Sequence, residues 1–326
     1  MTTAIRITIS QHRLAIFSGV LVLLALAATC LVVAFRMQST AVPVSCGTEW
    51  LGSGPPIPMP GQEFTACQLA EQAFFNRDFG EASNLLIPLV LLPMVVGLTT
   101  GAGLIASEIE EGTAQLSWWI AVSRARWYAG RVLPPALALG AALIVAALAA
   151  DQLAAARMPG QDPSQSFQFY AMRGWTFVGR GLVAYALAVS VGAFAGRALP
   201  ALIMSSVLSV ALLIGGAALV RGTWLPTQAV LVDDPVVAAS PGNLVLGVYA
   251  RWPDGRMEPT SLGAVSSVGA SPHQPVTLPD GSTLVTKLVL GAEYRTADLV
   301  EGGIWLAVAG AALGAGSVVV GRRRPI

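Results

Sequence analysis

The chain has 326 residues, of which 54 % are apolar and 11 % charged, with a formal net charge of +1. An ordinary soluble domain carries about 25 % charged residues, and the mean hydropathy here is +0.66. These values exclude a disordered chain and a soluble globular enzyme, and they leave a multi-span membrane protein. With no dense basic face, nucleic acid is excluded as a partner.

Six stretches are long and apolar enough to cross a bilayer: 14–35, 85–106, 135–156, 175–196, 199–220 and 303–320. The first is longer than the roughly 7–15 residues of a signal-peptide core, so it is expected to be retained as a span. A short segment, 1–13, precedes it. Arginine placement sets the orientation. With both termini inside, the inner segments hold Arg6, Arg13, Arg124, Arg126, Arg131, Arg197, Arg322, Arg323 and Arg324. Fifteen of the eighteen acids then fall in the outer segments or, for Asp151, near the outer end of a span, the exceptions being Glu108, Glu110 and Glu111. The expected fold is an all-α membrane protein of six transmembrane helices with both termini cytoplasmic.

Three outer segments follow from this plan: 36–84, 157–174 and a long one, 221–302. The last alternates strand-like runs (229–232, 243–252, 282–290) with the turns Pro253-Asp254-Gly255 and Pro279-Asp280-Gly281, which predicts a small ordered element. The first outer segment carries Cys46 and Cys67. In an oxidising compartment these are expected to form a disulfide across a Gly- and Pro-rich loop, whereas Cys30 lies inside the first span. Three small-residue pairs, Gly97/Gly101, Gly192/Gly196 and Gly310/Gly314, allow close helix approach, either within the bundle or between copies.

The spans are poor in chemistry. Asp151 and Arg180 are their ionisable residues, both near the outer ends. They read either as interfacial anchors or as an interhelix pair. No His/Cys cluster has metal-ligand spacing, and no catalytic set is visible. The single lysine, Lys287, follows Thr286 and precedes Leu288, so no P-loop is present. No cofactor is expected in this chain, and an energy source would have to be another polypeptide.

The inner loop, 107–134, is the informative segment. Acids come first (Glu108, Glu110, Glu111) and arginines last (Arg124, Arg126, Arg131). Between them Leu116, Trp119 and Ile120 fall at helical spacing, and Ser123 is placed to cap the next helix. Trp118 and Trp119 could alternatively be plain interface anchors.

Glu111-Gly112-Thr113, then Leu116 and Trp118, then Val122-Ser123-Arg124-Ala125-Arg126-Trp127, resemble a signature of permease subunits of exporter-type ABC transporters, the type-2 ABC permeases, particularly Arg-rich members of actinobacterial type. Gln11-His12-Arg13, Tyr294, Glu301 and the terminal arginines are similar to further positions of that family. The loop start, Ala106-Ser107-Glu108-Ile109-Glu110-Glu111, lacks an arginine that members often carry there.

The resemblance implies that Thr113 to Val122 form a cytoplasmic coupling helix seated in a groove of an ATP-binding subunit. Glu108, Glu110, Glu111, Gly112, Thr113, Leu116, Trp118, Trp119, Ser123, Arg124 and Arg126 would contact that partner. The N-terminal segment would be a short connecting helix. ATP and Mg would be held by the partner, a second permease copy would complete the transporter, and the complex would sit in the plasma membrane. The apolar spans favour a hydrophobic or amphipathic cargo, and export follows by resemblance. A membrane-anchored sensor or scaffold binding a ligand through its outer segments is the alternative.

Overall fold

A computed structural model describes residues 2–40, 65–114, 123–158, 161–234, 237–238, 240, 242–260, 275–278 and 280–323. The helices are α1 (Thr2–Gln38), α2 (Ala66–Arg77), α3 (Leu86–Glu110), α4 (Arg124–Arg157), α5 (Gly174–Ala195), α6 (Ala198–Leu219) and α7 (Tyr294–Arg322). Among the described residues, six helices are long and apolar enough to cross a membrane. The chain is therefore built as a multi-pass membrane protein. Helical folding is what an apolar solvent demands, since each backbone N–H must find its carbonyl within the segment. Stray hydroxyls obey the same rule: Thr29 donates to the Ala25 carbonyl at 2.8 Å and Ser190 to Ala186 at 2.7 Å.

α1 runs unbroken from Thr2 to Gln38, so residues 2–13 are helical and continuous with the first span. The stretch 36–84, expected as loop, contains α2. Thr65 opens it with a capping box: its hydroxyl accepts from the Gln68 N–H at 3.3 Å, and the Gln68 side chain accepts from the Thr65 N–H at 2.9 Å. A π-turn (Asp78–Ala82) and a 3-10 turn (Ser83–Leu85) carry the backbone on into α3. These turns aim charges at neighbours. Arg36 meets Glu81 at 3.3 Å, Arg77 donates to the Arg36 carbonyl at 2.7 Å, and Arg157 donates to Asp78 at 2.8 Å.

α5 is the centre of the bundle, gripped by α3 on one side and α7 on another, while α1 packs chiefly on α4. Accordingly 72 % of the α5 span is buried, against 17 % of the α6 span and 22 % of the α7 span. Glycines make the α3–α5 approach possible. A Cβ on Gly97 would lie 2.5 Å from the Gly181 carbonyl oxygen, and one on Gly101 would lie 2.7 Å from that of Tyr185. Gly192 faces Ala102 and Ala106 in the same seam. Gly310 and Gly314 differ, because a Cβ on either meets nothing within 4 Å. Gly101→Leu is therefore expected to lower the unfolding temperature in detergent, at a cost of roughly 1–3 kcal/mol or more for overpacking. Gly310→Leu, where a Cβ meets nothing within 4 Å among the described residues, should lower it much less. Equal effects of the two substitutions would refute this account of the seam.

The segment between α6 and α7 folds into a four-stranded antiparallel sheet, an addition to the helical architecture. Its strands are β1 (Val230–Val232), β2 (Leu244–Arg251), β3 (Met257–Thr260) and β4 (Thr283–Val289), in the order β1-β4-β2-β3. Val230 stands opposite Leu288 and Tyr249 opposite Val285, with a bulge between Val245 and Gly247. Both expected turns are built on Asp side chains. Asp254 accepts from the Arg256 N–H at 3.0 Å, and Asp280 accepts from the Ser282 N–H at 3.0 Å. The Ser282 hydroxyl also donates to Asp280, and these bonds hold its carboxyl below the usual carboxylate range.

The sheet docks on the 161–173 loop. The Phe167 N–H donates to the Gly242 carbonyl at 2.8 Å, and Asn243 accepts from the Gly291 N–H at 2.9 Å. Phe167, Tyr170 and Tyr294 stack between sheet and bundle with centroids 5.5–6.2 Å apart. The bundle thus has a sheet end and an opposite end that carries the α3–α4 loop and the close of α7.

Candidate functional site

Polar chemistry gathers at the two ends of the bundle. At the end opposite the sheet, α3 stops at Glu110, and Gly112 takes the left-handed φ of +74° that ends a helix without a side-chain penalty. The Thr113 hydroxyl donates to the Glu108 carbonyl at 3.1 Å. Ser123 caps α4, accepting from the Arg126 N–H at 3.2 Å.

The charges flanking this loop divide into two groups. Glu108, expected at the loop surface, points into the bundle and pairs with Arg131 of α4 at 3.3 Å, their side chains 7 % and 11 % exposed. Its position explains this: it lies inside α3, two residues before the helix ends, on the face towards α4. Glu110 accepts from the Ala198 N–H at 3.1 Å and so caps α6. Arg124 donates to the Gly321 carbonyl at 3.3 Å and also to that of Arg323, while Arg323 donates to the Ala193 carbonyl at 3.0 Å. These bonds tie the loop to the starts and ends of α5, α6 and α7. Glu111, Gly112, Thr113, Ser123 and Arg126 are exposed. Leu116, Trp118 and Trp119 lie outside the described residues.

Of the two readings of Asp151 and Arg180, the mutual interhelix pair is not formed. Asp151 accepts from Arg173 at 3.0 Å, and Arg180 donates to Glu301 of α7 at 2.7 Å. Arg173 outcompetes Arg180 because the 161–173 loop folds back over the end of α4 and fixes the guanidinium there. Its Nε donates to the Gln168 carbonyl at 3.1 Å, and Nη2 donates to the carbonyls of Pro163 at 2.7 Å and Ser166 at 2.5 Å. The guanidinium also lies 4.0 Å from the Tyr294 ring centroid.

Glu301, 1 % exposed at its side chain, is the hub of a second network. It accepts from the Tyr170 hydroxyl at 2.6 Å and the Trp305 indole at 3.0 Å, besides Arg180. Burial and the adjacent carboxylate push the Tyr170 phenol far above its ordinary range, so it stays a donor. Asp298 closes the end of α5, accepting from the N–H groups of Trp175 at 2.8 Å and Thr176 at 2.9 Å.

Sequence reasoning missed Arg173, Asp298 and Tyr170 as functional positions. A signal for the α7 side was available: Tyr294, Asp298, Glu301 and Trp305 recur at helical spacing, i, i+4, i+7 and i+11, on one face.

Cys30 is a buried free thiol on α1, and Cys67 stands in the first turn of α2. Cys46 lies outside the described residues.

No curated protein and no solved structure matches the chain. A family model does. The pattern described as ABC-2 membrane transporter related matches residues 19–221, which run from within α1 to just past α6 and include the loop between α3 and α4. The chain is thus a member of the ABC-2 membrane transporter related family, a membrane-embedded permease component of an ABC transport system, a family that implies an ATP-binding partner.

Proposed function

We propose that this permease moves a hydrophobic or amphipathic substrate outward across the plasma membrane, driven by ATP that a separate subunit binds with Mg and hydrolyses. The end carrying the α3–α4 loop faces the cytoplasm, with both termini, and the sheet faces outside. The observation that carries the reading is the construction of the two flanks of that loop. Glu111 and Arg126 stand exposed on either side of it, while Glu108–Arg131 beneath locks α3 to α4. Flanks so tied would pass a push from a docked partner into two spans at once.

The decisive experiment is co-purification with the ATP-binding subunit. Glu111→Lys and Trp118→Ala are each expected to cut its recovery about tenfold or more, a change of roughly 1.4 kcal/mol, with the unfolding temperature of the permease retained. Full recovery and full transport in both variants would remove the docking assignment.

A second permease copy is proposed to pack on α7. Gly303, Ala307, Gly310, Gly314, Ser317 and Gly321 alternate at four- and three-residue steps along it, and all but the half-buried Ser317 are exposed. Such a seam lets two helices approach closely. Gly310→Leu, much less costly than Gly101→Leu for the single chain, should then dissociate the dimer in light scattering.

The Cys46–Cys67 bridge belongs to the same outward reading of the sheet end. Closing about 20 residues adds roughly 3 kcal/mol in the chain-entropy model. Non-reducing peptide mass spectrometry should return the linked pair, and alkylation of both thiols without prior reduction would exclude it.

A further inference from the structure

Between α4, α5, α7 and the 161–173 loop lies a cavity of about 520 Å³, within the size range of small-molecule sites. Its lining is of two kinds. Ile144, Leu148, Val178 and Leu299 form an aliphatic trough, and Ile144 and Leu148 are exposed on the flank of α4. The trough therefore opens sideways from the bundle. Two turns of α4 nearer the sheet, the lining becomes polar, with Asp151, Arg173, Trp175, Arg295 and Asp298.

Few of these polar groups can still bind a ligand. Each nitrogen of Arg173 already donates to protein, and its side chain is 2 % exposed. Both oxygens of Asp298 accept from the first N–H groups of α5. Asp151 differs. One oxygen takes the Arg173 bond, and the side chain is 34 % exposed and lines the cavity, which leaves capacity on this carboxylate for a ligand. The exposed indole of Trp175 stands in the same lining, and exposed Arg295 is at its rim. An anionic acceptor beside an aromatic ring, at the head of an aliphatic trough open to the flank of the bundle, matches one ligand chemistry.

We propose that this cavity binds an amphiphile bearing a protonated primary amine, its ammonium on Asp151 and its chain along Ile144, Leu148 and Val178. A membrane aminolipid and a free long-chain amine share that chemistry. In an ethanolamine lipid the phosphate would fall towards Arg295. The site goes beyond the transport reading and does not depend on it, since binding requires no ATP-binding subunit.

The test is native mass spectrometry of the full chain in phosphatidylcholine nanodiscs containing either phosphatidylethanolamine or phosphatidylglycerol, without any ATPase. The ethanolamine lipid should be retained about tenfold over the other two, the worth of one charge-assisted N–H bond that quaternary choline cannot make. Hexadecylamine added to choline-only discs separates the two sources. Binding of the amine without ethanolamine-lipid retention assigns the site to a free amphiphile, and retention of the lipid assigns it to the membrane.

Asp151→Asn should abolish the preference but also strips Arg173 of its counter-charge. Leu148→Trp is the cleaner variant, filling the trough from its exposed wall with the Asp151–Arg173 pair intact, and it too should abolish the preference. Equal retention of all three lipids together with no amine binding overturns the proposal. So does a preference that survives Leu148→Trp.

Discussion

Arg173→Ala will destabilise the sheet end by about 2–4 kcal/mol, chiefly by taking the donor away from three backbone carbonyls, the half-exposed Asp151 adding little. The residue is 1 % exposed and serves four acceptors from one guanidinium: Asp151 and the carbonyls of Gln168, Pro163 and Ser166. The three carbonyls belong to the loop that carries Phe167 and Tyr170, on which the sheet docks. Without the guanidinium the buried Ser166 carbonyl and the part-buried carbonyls of Gln168 and Pro163 lose this donor, the first at the largest cost. Arg173→Lys restores a charge for Asp151 but cannot reproduce the fork, so it should recover only part of the loss. Thermal unfolding in detergent reads the total, and limited proteolysis within 161–173 reads where it falls. An alanine variant with unchanged unfolding temperature and unchanged cleavage would show that the loop is held by the aromatic stack alone.

That loop illustrates where the sequence was readable and where it was not. The spans were legible because an apolar run of bilayer length has a single physical use. The turns at Asp254 and Asp280 were legible because a short acid two residues ahead of an N–H closes a local ring, independent of the rest of the fold. α2 was not, since its composition is balanced and its cap residue Thr65 sits at the edge of a Gly- and Pro-rich stretch. What fixes α2 is remote: Arg36 and Arg157, on α1 and α4, seize Glu81 and Asp78 beyond its end.

The polar networks failed for the same reason. A lone Asp151 or Arg180 near a span end is compatible with plain anchoring, and nothing local says which partner the fold will bring. Arg180 and Glu301 are 121 positions apart, as far as Trp175 and Asp298 nearly are. Only the packing of α7 on α5 joins them. The same packing explains why the small-residue pairs diverge in role. Gly97 and Gly101 are consumed by α5, whereas Gly310 and Gly314 remain on a free face of α7.

The second large effect is expected at the other end of the bundle, at Glu108–Arg131. Glu108→Ala leaves a guanidinium 11 % exposed at its side chain without its carboxylate, a loss of about 3–5 kcal/mol. Arg131→Ala should cost a similar amount, and the exchanged double variant, Glu108→Arg with Arg131→Glu, should regain much of it. A double-mutant cycle then isolates the pair, with a coupling of about 0.5–3 kcal/mol.

Stability alone would make this a strut. If the pair also transmits motion from the α3–α4 loop, the single variants will retain the ATP-binding subunit on co-purification, because exposed Glu111 and Arg126 are intact, yet lose ATP-dependent transport. The exchanged variant should recover transport together with its unfolding temperature. Recovery of stability without recovery of transport would confine the pair to holding α3 against α4. In that case the push from the partner must travel through the other ties of this end, Glu110 to α6 and Arg124 to the close of α7.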